Sequence, residues 1–497
     1  MFFFRRKVYL DNNATTPVAA AVRRRMNEVL KETFGNPSSL YRAARDSAAA
    51  LEEARQTVAR AINAGPGEIL FTGSATEANN QVLVSLFEEF YPQKDTIISS
   101  PIEHPAVLET LGYLEKRGAR IKYCRVDNGG FANPAEIEAL IDPKTFLAVL
   151  MLANNETGSI QPVGRTAELC RRKNVLLLSD CVQALGKIPV DVKELGADYA
   201  TFSGHKIHGP KGAGALYVRS GCPIGSFIHG GHQENGLRAG TESLHNIAGL
   251  SCAFSQTGAV LKKAGRIAEL KESFLAGLKK IVPKTVINSP RENCLPNTIS
   301  ITFPGINNAQ LMAHLDFHGI AVSAGSACNT QSDKPSHVLT AMGLSEARAR
   351  ETLRFSLSDK TEASDIKYTL KVLKGFLSGE ASAISLISPA QLDEGLLFGE
   401  GTYILDVRFP SDRRILKGLP GSHEAPFLGF GEYASRVPKN RNIIVVCQAG
   451  GNAPVVAYHL RSKGYPNVSF LMSGLAGWKM VRPQLYQKYA GQNITRL

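Results

Sequence analysis

The sequence predicts an α/β protein of three units: a large domain built on a mainly parallel sheet, a smaller α+β domain, and a compact C-terminal α/β domain. Three observations carry this. Between about residues 15 and 260, short runs that are apolar throughout alternate with helical patterns, as strands buried on both faces of a parallel sheet do. After that a long helical stretch leads into a second, shorter set of strands. A small-residue segment without strong periodicity, Ser378 to Ser388, then precedes a third set.

In the first unit the strand candidates are Ile69 to Thr72, Thr96 to Ser99, Thr145 to Ala153, Asn174 to Ser179, Tyr199 to Ser203 and Gly214 to Val218. Ligands of such sheets gather at the carboxyl ends of the strands, and the polar motifs of this chain fall there. The second unit takes a helical stretch near Leu250 to Ile281, a helix at Ala309 to His318, and strands at Asn297 to Phe303 and Thr352 to Leu357. The third holds "TYILDVR" (Thr402 to Arg408), "NIIVVCQAG" (Asn442 to Gly450) and "NVSFLMSGLAGW" (Asn467 to Trp478). The expected boundaries are 1–260, 261–380, a linker at 381–388, and 389–497, with the first ~14 residues packing against the small domain. A chain of 497 residues exceeds the roughly 250 to 300 at which one core stops growing.

Composition narrows the function classes. Hydrophobic residues at 43% and charged residues at 20% fit a soluble globular protein. No apolar run approaches the ~20 residues that span a bilayer, and Met1 to Lys7 is too short for a signal-peptide core, so cytoplasmic residence is expected. The formal charge is +13, but basic clusters such as Arg23 to Arg25, Arg171 to Lys173 and Arg436 to Arg441 lack interleaved aromatics. They read as solvated surface, and direct nucleic-acid binding is not expected. The eight cysteines are scattered with no CxxC pair, so neither a disulfide framework nor a metal site is expected.

Polar chemistry is concentrated in a few segments. "SGHKIHGPKGAGALYV" (Ser203 to Val218) follows an apolar strand and holds Lys206 between a hydroxyl, two imidazoles and glycines. A Schiff-base lysine needs such a fixed approach, although a solvated lysine in a Gly-rich loop would look alike. "NVLLLSDCVQALGKIPVDV" (Asn174 to Val192) ends a buried strand in Asp180, a carboxylate that an apolar interior penalises unless it is paired. A protonated pyridine nitrogen is such a partner, and Gln183 can reach a ring hydroxyl. "FTGSATEANN" (Phe71 to Asn80) puts Thr76 at a strand-to-helix turn, where backbone N–H groups can cradle a phosphate.

With "YLDNNATTP" (Tyr9 to Pro17), "GNPSS" (Gly35 to Ser39), "EHPAVL" (Glu103 to Leu108), "NNETGSIQPV" (Asn154 to Val163) and "GLRAGTE" (Gly236 to Glu242), these segments resemble the cysteine desulfurases of the bacterial iron-sulfur assembly type, within the class V aminotransferases. The resemblance covers Tyr9 to Leu357 and implies the fold type I architecture of pyridoxal-phosphate-dependent aminotransferases. It implies that Lys206 binds pyridoxal phosphate covalently, that Asp180 meets its ring nitrogen, that Gln183 and Asn155 line the ring and that His104 stacks on it. Ala75, Thr76, Ser203 and His205 would hold the phosphate, with Thr241 reaching it from a neighbouring subunit, hence a homodimer. Arg354, in "RFSL", would grip the substrate carboxylate, helped by Asn155. Tyr41, the order Gly73-Ser74 and His232 depart from the family pattern without replacing a reacting group.

"AVSAGSACNTQSDKPSHVL" (Ala321 to Leu339) sets Cys328 among Ser, Gly and Ala, a composition that makes a mobile loop. In the family the cysteine of a matching loop takes sulfur from the substrate. The implied reaction converts L-cysteine to L-alanine and leaves a persulfide on Cys328, with Lys206 moving the α-proton and His104 the thiol proton.

Residues from about 385 to 490 resemble a single rhodanese domain through "ILDVR" (Ile404 to Arg408), "LPGS" (Leu419 to Ser422), "VVCQAGGNA" (Val445 to Ala453) and "SGLAGW" (Ser473 to Trp478). The resemblance makes Cys447 the persulfide cysteine of a loop whose N–H groups surround the sulfur. Asn452 and Ala453 stand where Arg and Ser are usual, which weakens the case for thiosulfate as substrate. Relay from Cys328 to Cys447, and onward to iron-sulfur scaffold or thiolation acceptors, is the favoured reading. The alternative is a selenocysteine lyase or other class V enzyme whose C-terminal module only docks partners.

Overall fold

The computed structural model describes residues 6–325, 335–378, 384–492 and 495–496; Cys328 lies outside the described residues. The N-terminal arm contributes Val8–Tyr9 (β1). The large sheet holds Ile69–Thr72 (β2), Thr96–Ser99 (β3), Arg120–Tyr123 (β4), Thr145–Val149 (β5), Leu176–Asp180 (β6), Tyr199–Ser203 (β7) and Gly214–Val218 (β8), in the order β2-β8-β7-β6-β5-β3-β4. Five neighbouring strands, β7 to β4 in that order, are parallel, and β8 runs antiparallel between β2 and β7.

Every residue of β2, β3, β5 and β7 is buried, which requires cover on both faces. Successive residues point to opposite sides. Leu70 and Ile97 join a cluster under Ala75–Phe90 (α1) and Pro105–Glu115 (α2), and their neighbours Phe71 and Ile98 join another under Leu244–Leu261 (α3).

The helical stretch expected near 250–281 is two helices, α3 and Ala264–Ile281 (α4). They serve different cores: Ile247, Leu250 and Phe254 of α3 pack in the large domain, and Ile267, Leu270, Phe274 and Leu278 of α4 in the small one. The chain turns between them at Lys262 and Lys263, and Lys263 Nζ pairs with Asp359 Oδ2 at 3.0 Å.

The small domain holds Val286–Ile287 (β9), Thr298–Thr302 (β10), Ile320–Ala321 (β11) and Thr352–Ser356 (β12), with Asn308–Phe317 (α5) and Ala363–Leu377 (α6). β10 pairs antiparallel with β9 and β12. The N-terminal arm is sewn into this domain, since β1 pairs in parallel with β11, Asp11 bridges Ser356, and Val8 and Leu10 sit in its core.

The C-terminal sheet comprises Ser385–Ile387 (β13), Thr402–Asp406 (β14), His423–Glu424 (β15), Asn442–Val446 (β16), Val468–Leu471 (β17) and Thr495–Arg496 (β18), all parallel, in the order β13-β17-β16-β14-β15-β18. Part of the segment expected as linker is therefore an edge strand, β13 on β17. Three residues are too few to show a period. Asn452–Ser462 (α7) follows β16. No described helix is long and apolar enough to cross a membrane.

Candidate active site

The carboxyl ends of the large sheet open into a cavity of about 450 Å³. Asp180 is the last residue of β6 and Ser203 the last of β7, while β2 runs through Gly73 and Ser74 into α1. Ser74 Oγ accepts from Glu77 N–H at 3.1 Å and caps that helix, leaving the first N–H groups of α1, at Ala75 and Thr76, at the cavity wall. The turn fits only because Gly214 lies behind it: a Cβ there would stand 2.7 Å from the Ser74 carbonyl carbon.

Ala75, Thr76, His104, Asn155, Asp180, Gln183, Ser203, His205, Lys206 and Arg354 all line this one cavity. The sequence placed them as coenzyme or substrate residues from motifs spread over 280 positions. Thr241 is exposed and does not line it. Cys447 lies in the C-terminal domain.

Asp180 is buried, and its oxygens accept from Val182 N–H and Asn79 Nδ2, each at 3.0 Å. Asn79 is fixed in turn by Thr201 Oγ1, which donates to its Oδ1 at 2.9 Å. Among the described residues no cationic nitrogen lies within ion-pair distance of Asp180. A buried carboxylate held by neutral donors at a cavity wall suits the protonated ring nitrogen of pyridoxal phosphate.

Lys206 Nζ donates to the backbone oxygens of Asn13 at 2.6 Å and Ala14 at 2.8 Å. The Asn13 oxygen also accepts from Gln183 Nε2 at 2.9 Å. The Asn13 side chain accepts from Lys187 Nζ at 3.1 Å and from Asn297 Nδ2 at 3.0 Å, and donates to the Asn155 oxygen at 3.1 Å. Asn13 is thus the hub on which the arm, Lys206, Gln183 and Asn155 converge. Lys187 Nζ also donates to Gln183 Oε1. Burial holds the Lys187 amine well below its usual pKa, helped by the charges of Lys206 and Arg354.

Neither Asn13 nor Lys187 was singled out from sequence; the only signal was their place inside two motifs quoted for other residues. With Lys187 Nζ donating to its Oε1 and the Asn13 oxygen accepting from its Nε2, the Gln183 amide is fixed from both ends at the cavity wall. Lys187→Met is expected to weaken coenzyme retention about tenfold while turnover at saturating coenzyme falls less than tenfold; equilibrium dialysis and alanine release measure the two.

His104 caps α2, and its Nδ1 accepts from Ala106 N–H at 3.1 Å. Burial lowers its pKa, against the attraction of Asp180 and with the repulsion of Lys206 and His337. The ring is therefore neutral with its hydrogen on Nε2. His205 is pushed down to about 4 by burial and by the charges of Lys206 and Lys211.

Arg354 is buried, with Nη2 on Asp11 Oδ1 and Nη1 on the Asn155 oxygen, each at 2.9 Å. Its Nε is buried, with no hydrogen-bond partner among the described residues. A guanidinium at the cavity wall is suited to an incoming carboxylate.

Glu103, next to His104, is fully buried, which pushes its carboxyl up to about 7 against hydrogen bonds from Ser100 and Met151 N–H. From about 4.5 to 7 the folded protein keeps a proton that the unfolded chain has lost, so stability falls as pH rises through that window and is level above it. Glu103→Gln is expected to stabilise the protein at pH 8 by about 3 kcal/mol and to change little at pH 4, as thermal melts at the two pH values would show.

Ser336 and His337 are tied to the residues next to Asn155 and His104. Ser336 Oγ donates to Glu156 Oε2 at 2.5 Å, and His337 Nε2 lies 3.0 Å from the Glu103 oxygen.

In the C-terminal domain Cys447 follows β16 and is buried. Burial raises its thiol pKa, opposed by the N–H groups of Ala453, Asn452, Gly450 and Ala449. The Gly450 N–H lies 3.2 Å from the sulfur. Gly474, at φ 58°, makes this loop possible, because a Cβ there would fall 2.4 Å from the Cys447 oxygen. A second cavity, of about 560 Å³, separates this loop from the small domain. Ala449, Gly450 and Ser473 line one wall, and Met312, Gly325 and Pro335 the other.

Residues 8–369 match the Aminotransferase class-V family, and residues 388–481 the Rhodanese-like domain. The chain is 41% identical over 373 residues to "Cysteine desulfurase IscS" of Dictyoglomus turgidum, covering 74% of this chain and 94% of that protein. It is 40% identical over 367 residues to "Cysteine desulfurase IscS" of Methanosarcina thermophila, covering 74% and 91%. A solved "NIFS-LIKE PROTEIN" superposes with TM-score 0.71 at 40% identity, over 75% of this chain and all of that one. The structure titled "SspA in complex with cysteine" gives TM-score 0.63 at 35% identity, over 71% and 99%.

Proposed function

Since the chain belongs to the class-V aminotransferase family and carries a C-terminal rhodanese-like domain, we propose that it is a pyridoxal-phosphate-dependent cysteine desulfurase that passes sulfur from Cys328 to Cys447. One observation carries the first half: ten residues identified from separate motifs, including Lys206, Asp180 and His104, line a single cavity. When bound, pyridoxal phosphate supplies an electron sink for the substrate's Cα.

The chain's own groups do the rest. Arg354, which lines the cavity, binds the substrate carboxylate. Lys206 Nζ, released from the Asn13 and Ala14 oxygens, takes the α-proton. His104, neutral with hydrogen on Nε2, hydrogen-bonds the substrate sulfur and orients it for attack, the thiol proton staying on that sulfur as it becomes the outer sulfur of the persulfide. The Cys328 thiolate attacks that sulfur; the new S–S bond forms as the Cβ–S bond breaks, and the released carbon skeleton takes up protons as alanine. Thr241 of one subunit completes the phosphate site of the other in a homodimer.

In the relay the Cys447 thiolate attacks the outer sulfur of the Cys328 persulfide. That S–S bond breaks, and the proton released from Cys447 passes to the departing Cys328 thiolate. Two features support this step. The N–H groups of the Cys447 loop surround its sulfur, and the loop shares a cavity with Gly325 and Pro335, the described residues that flank 326–334. Iron-sulfur scaffolds or thiolation enzymes are the acceptors downstream.

Alanine formation from cysteine with no keto-acid acceptor separates desulfuration from transamination, and a matched assay with selenocysteine tests the lyase alternative. Cys328→Ser is expected to lower alanine release at least a hundredfold; wild-type release from that variant sinks the mechanism. After one turnover, mass spectrometry should find persulfide on Cys447, and sulfur confined to Cys328 would leave the C-terminal domain a docking module.

A further inference from the structure

Helix α7 has two tasks. Its first residues, Asn452 and Ala453, direct N–H groups at the Cys447 sulfur. Five residues after Ala453, about 7.5 Å along the axis, Tyr458 packs against α5 of the small domain. Its ring lies 5.4 Å from Phe317, stacked at 26°, and 5.5 Å from His314. Ala313 of α5 is buried and belongs to the C-terminal domain's hydrophobic cluster, with Val456, Ala457 and Tyr458, rather than to the small domain's own core. Gln310 Nε2, also on α5, donates to the Ile384 oxygen at 3.3 Å.

The contact is made by ring packing. The Tyr458 hydroxyl and His314 Nδ1 are both buried there without a hydrogen-bond partner among the described residues, a cost that packing must offset. Beyond α5 the chain turns at Gly319 into β11 and reaches Gly325. One wall of the cavity in front of the Cys447 loop is therefore continuous with α5, and the other with α7.

Resting on the reading of Cys447 as sulfur acceptor, we propose that the α5–α7 contact is a positioning surface, which fixes the Cys447 loop toward the small domain so that sulfur moves within one chain. A flexible tether alone would give a millimolar effective concentration. A docked helix sets the approach direction of the sulfur as well, and orientation multiplies the rate further.

Ala313→Glu tests this, because Ala313 clusters with C-terminal-domain residues and not with the small domain's core, so a charge at this buried position opens the contact while sparing that core. Phe317→Ala is the second disrupting variant, and Tyr458→Phe keeps the ring while removing the orphaned hydroxyl. Each holoenzyme is given labelled cysteine, and alanine release and the persulfide on Cys447 are measured together; circular dichroism and melting of the C-terminal transition report folding.

Alanine release should stay within twofold of wild type. Label on Cys447 should fall tenfold or more in Ala313→Glu and Phe317→Ala, and stay at the wild-type level in Tyr458→Phe. Folded disrupting variants that label Cys447 as fast as wild type overturn the positioning role. Absence of label on Cys447 in the wild-type protein overturns the acceptor reading itself, and the positioning role with it.

Discussion

Lys206→Ala is expected to abolish the visible absorbance of the holoenzyme and to lower alanine release by about 10⁴-fold, the combined loss of the covalent anchor and the general base. The expectation is specific because a second lysine is close by. Lys187 is buried in the same network and is depressed partly by the charge on Lys206. Burial alone would make either amine a candidate nucleophile. Geometry separates them: Lys206 lines the 450 Å³ cavity, and Lys187 does not. A Lys187→Met protein that keeps its absorbance, beside a Lys206→Ala protein that loses it, settles the assignment. The reverse pattern would move the reacting amine to Lys187.

The largest stability effect is expected at Asp406, the last residue of β14. Its carboxylate holds Arg408 Nη2 at 2.7 Å, with 1% and 0% of the two side chains exposed. Arg408 Nη1 donates to the Leu416 oxygen at 2.6 Å. Asp406→Ala strands a guanidinium in the domain interior, a change that costs about 3–5 kcal/mol. The C-terminal transition should melt earlier while alanine release in the presence of a thiol reductant persists. Asp406→Leu combined with Arg408→Met should recover most of the loss, since no charge is then buried unpaired. If Asp406→Ala melts as wild type does, the pair is not what holds β14 to the loop after it.

Much of the fold was legible because its strands are apolar from end to end. Ile69 to Thr72, Thr96 to Ser99, Tyr199 to Ser203 and Gly214 to Val218 fall on β2, β3, β7 and β8 without adjustment. The edge strand β4, Arg120–Tyr123, was not read, because none of its residues is buried and it lacks the end-to-end apolar run of the other strands. The helical stretch expected near 250–281 was read without its break, whose cause is tertiary: the two halves face different cores. The same holds for β13, which is a strand only because β17 is beside it.

The cavity residues were legible through motifs that keep their polar groups within a few positions of a strand end. The Asn13 hub was not, since its partners lie at 155, 183, 187, 206 and 297, and only folding brings them together. Thr241 had to be assigned to a second chain, and in one chain it stands away from the cavity.

The N-terminal arm ties two parts of the protein mechanically. Residues 8–11 are stitched to the small domain by β11 and Ser356, and two residues later the Asn13 carbonyl holds the Lys206 amine. A rocking motion of the small domain would pull on that carbonyl as a lever pulls a latch, loosening the lysine without touching it. The placement of the reacting amine thus depends on how the small domain holds the arm, and substitutions along residues 8–11, far from any reactant, should disturb it.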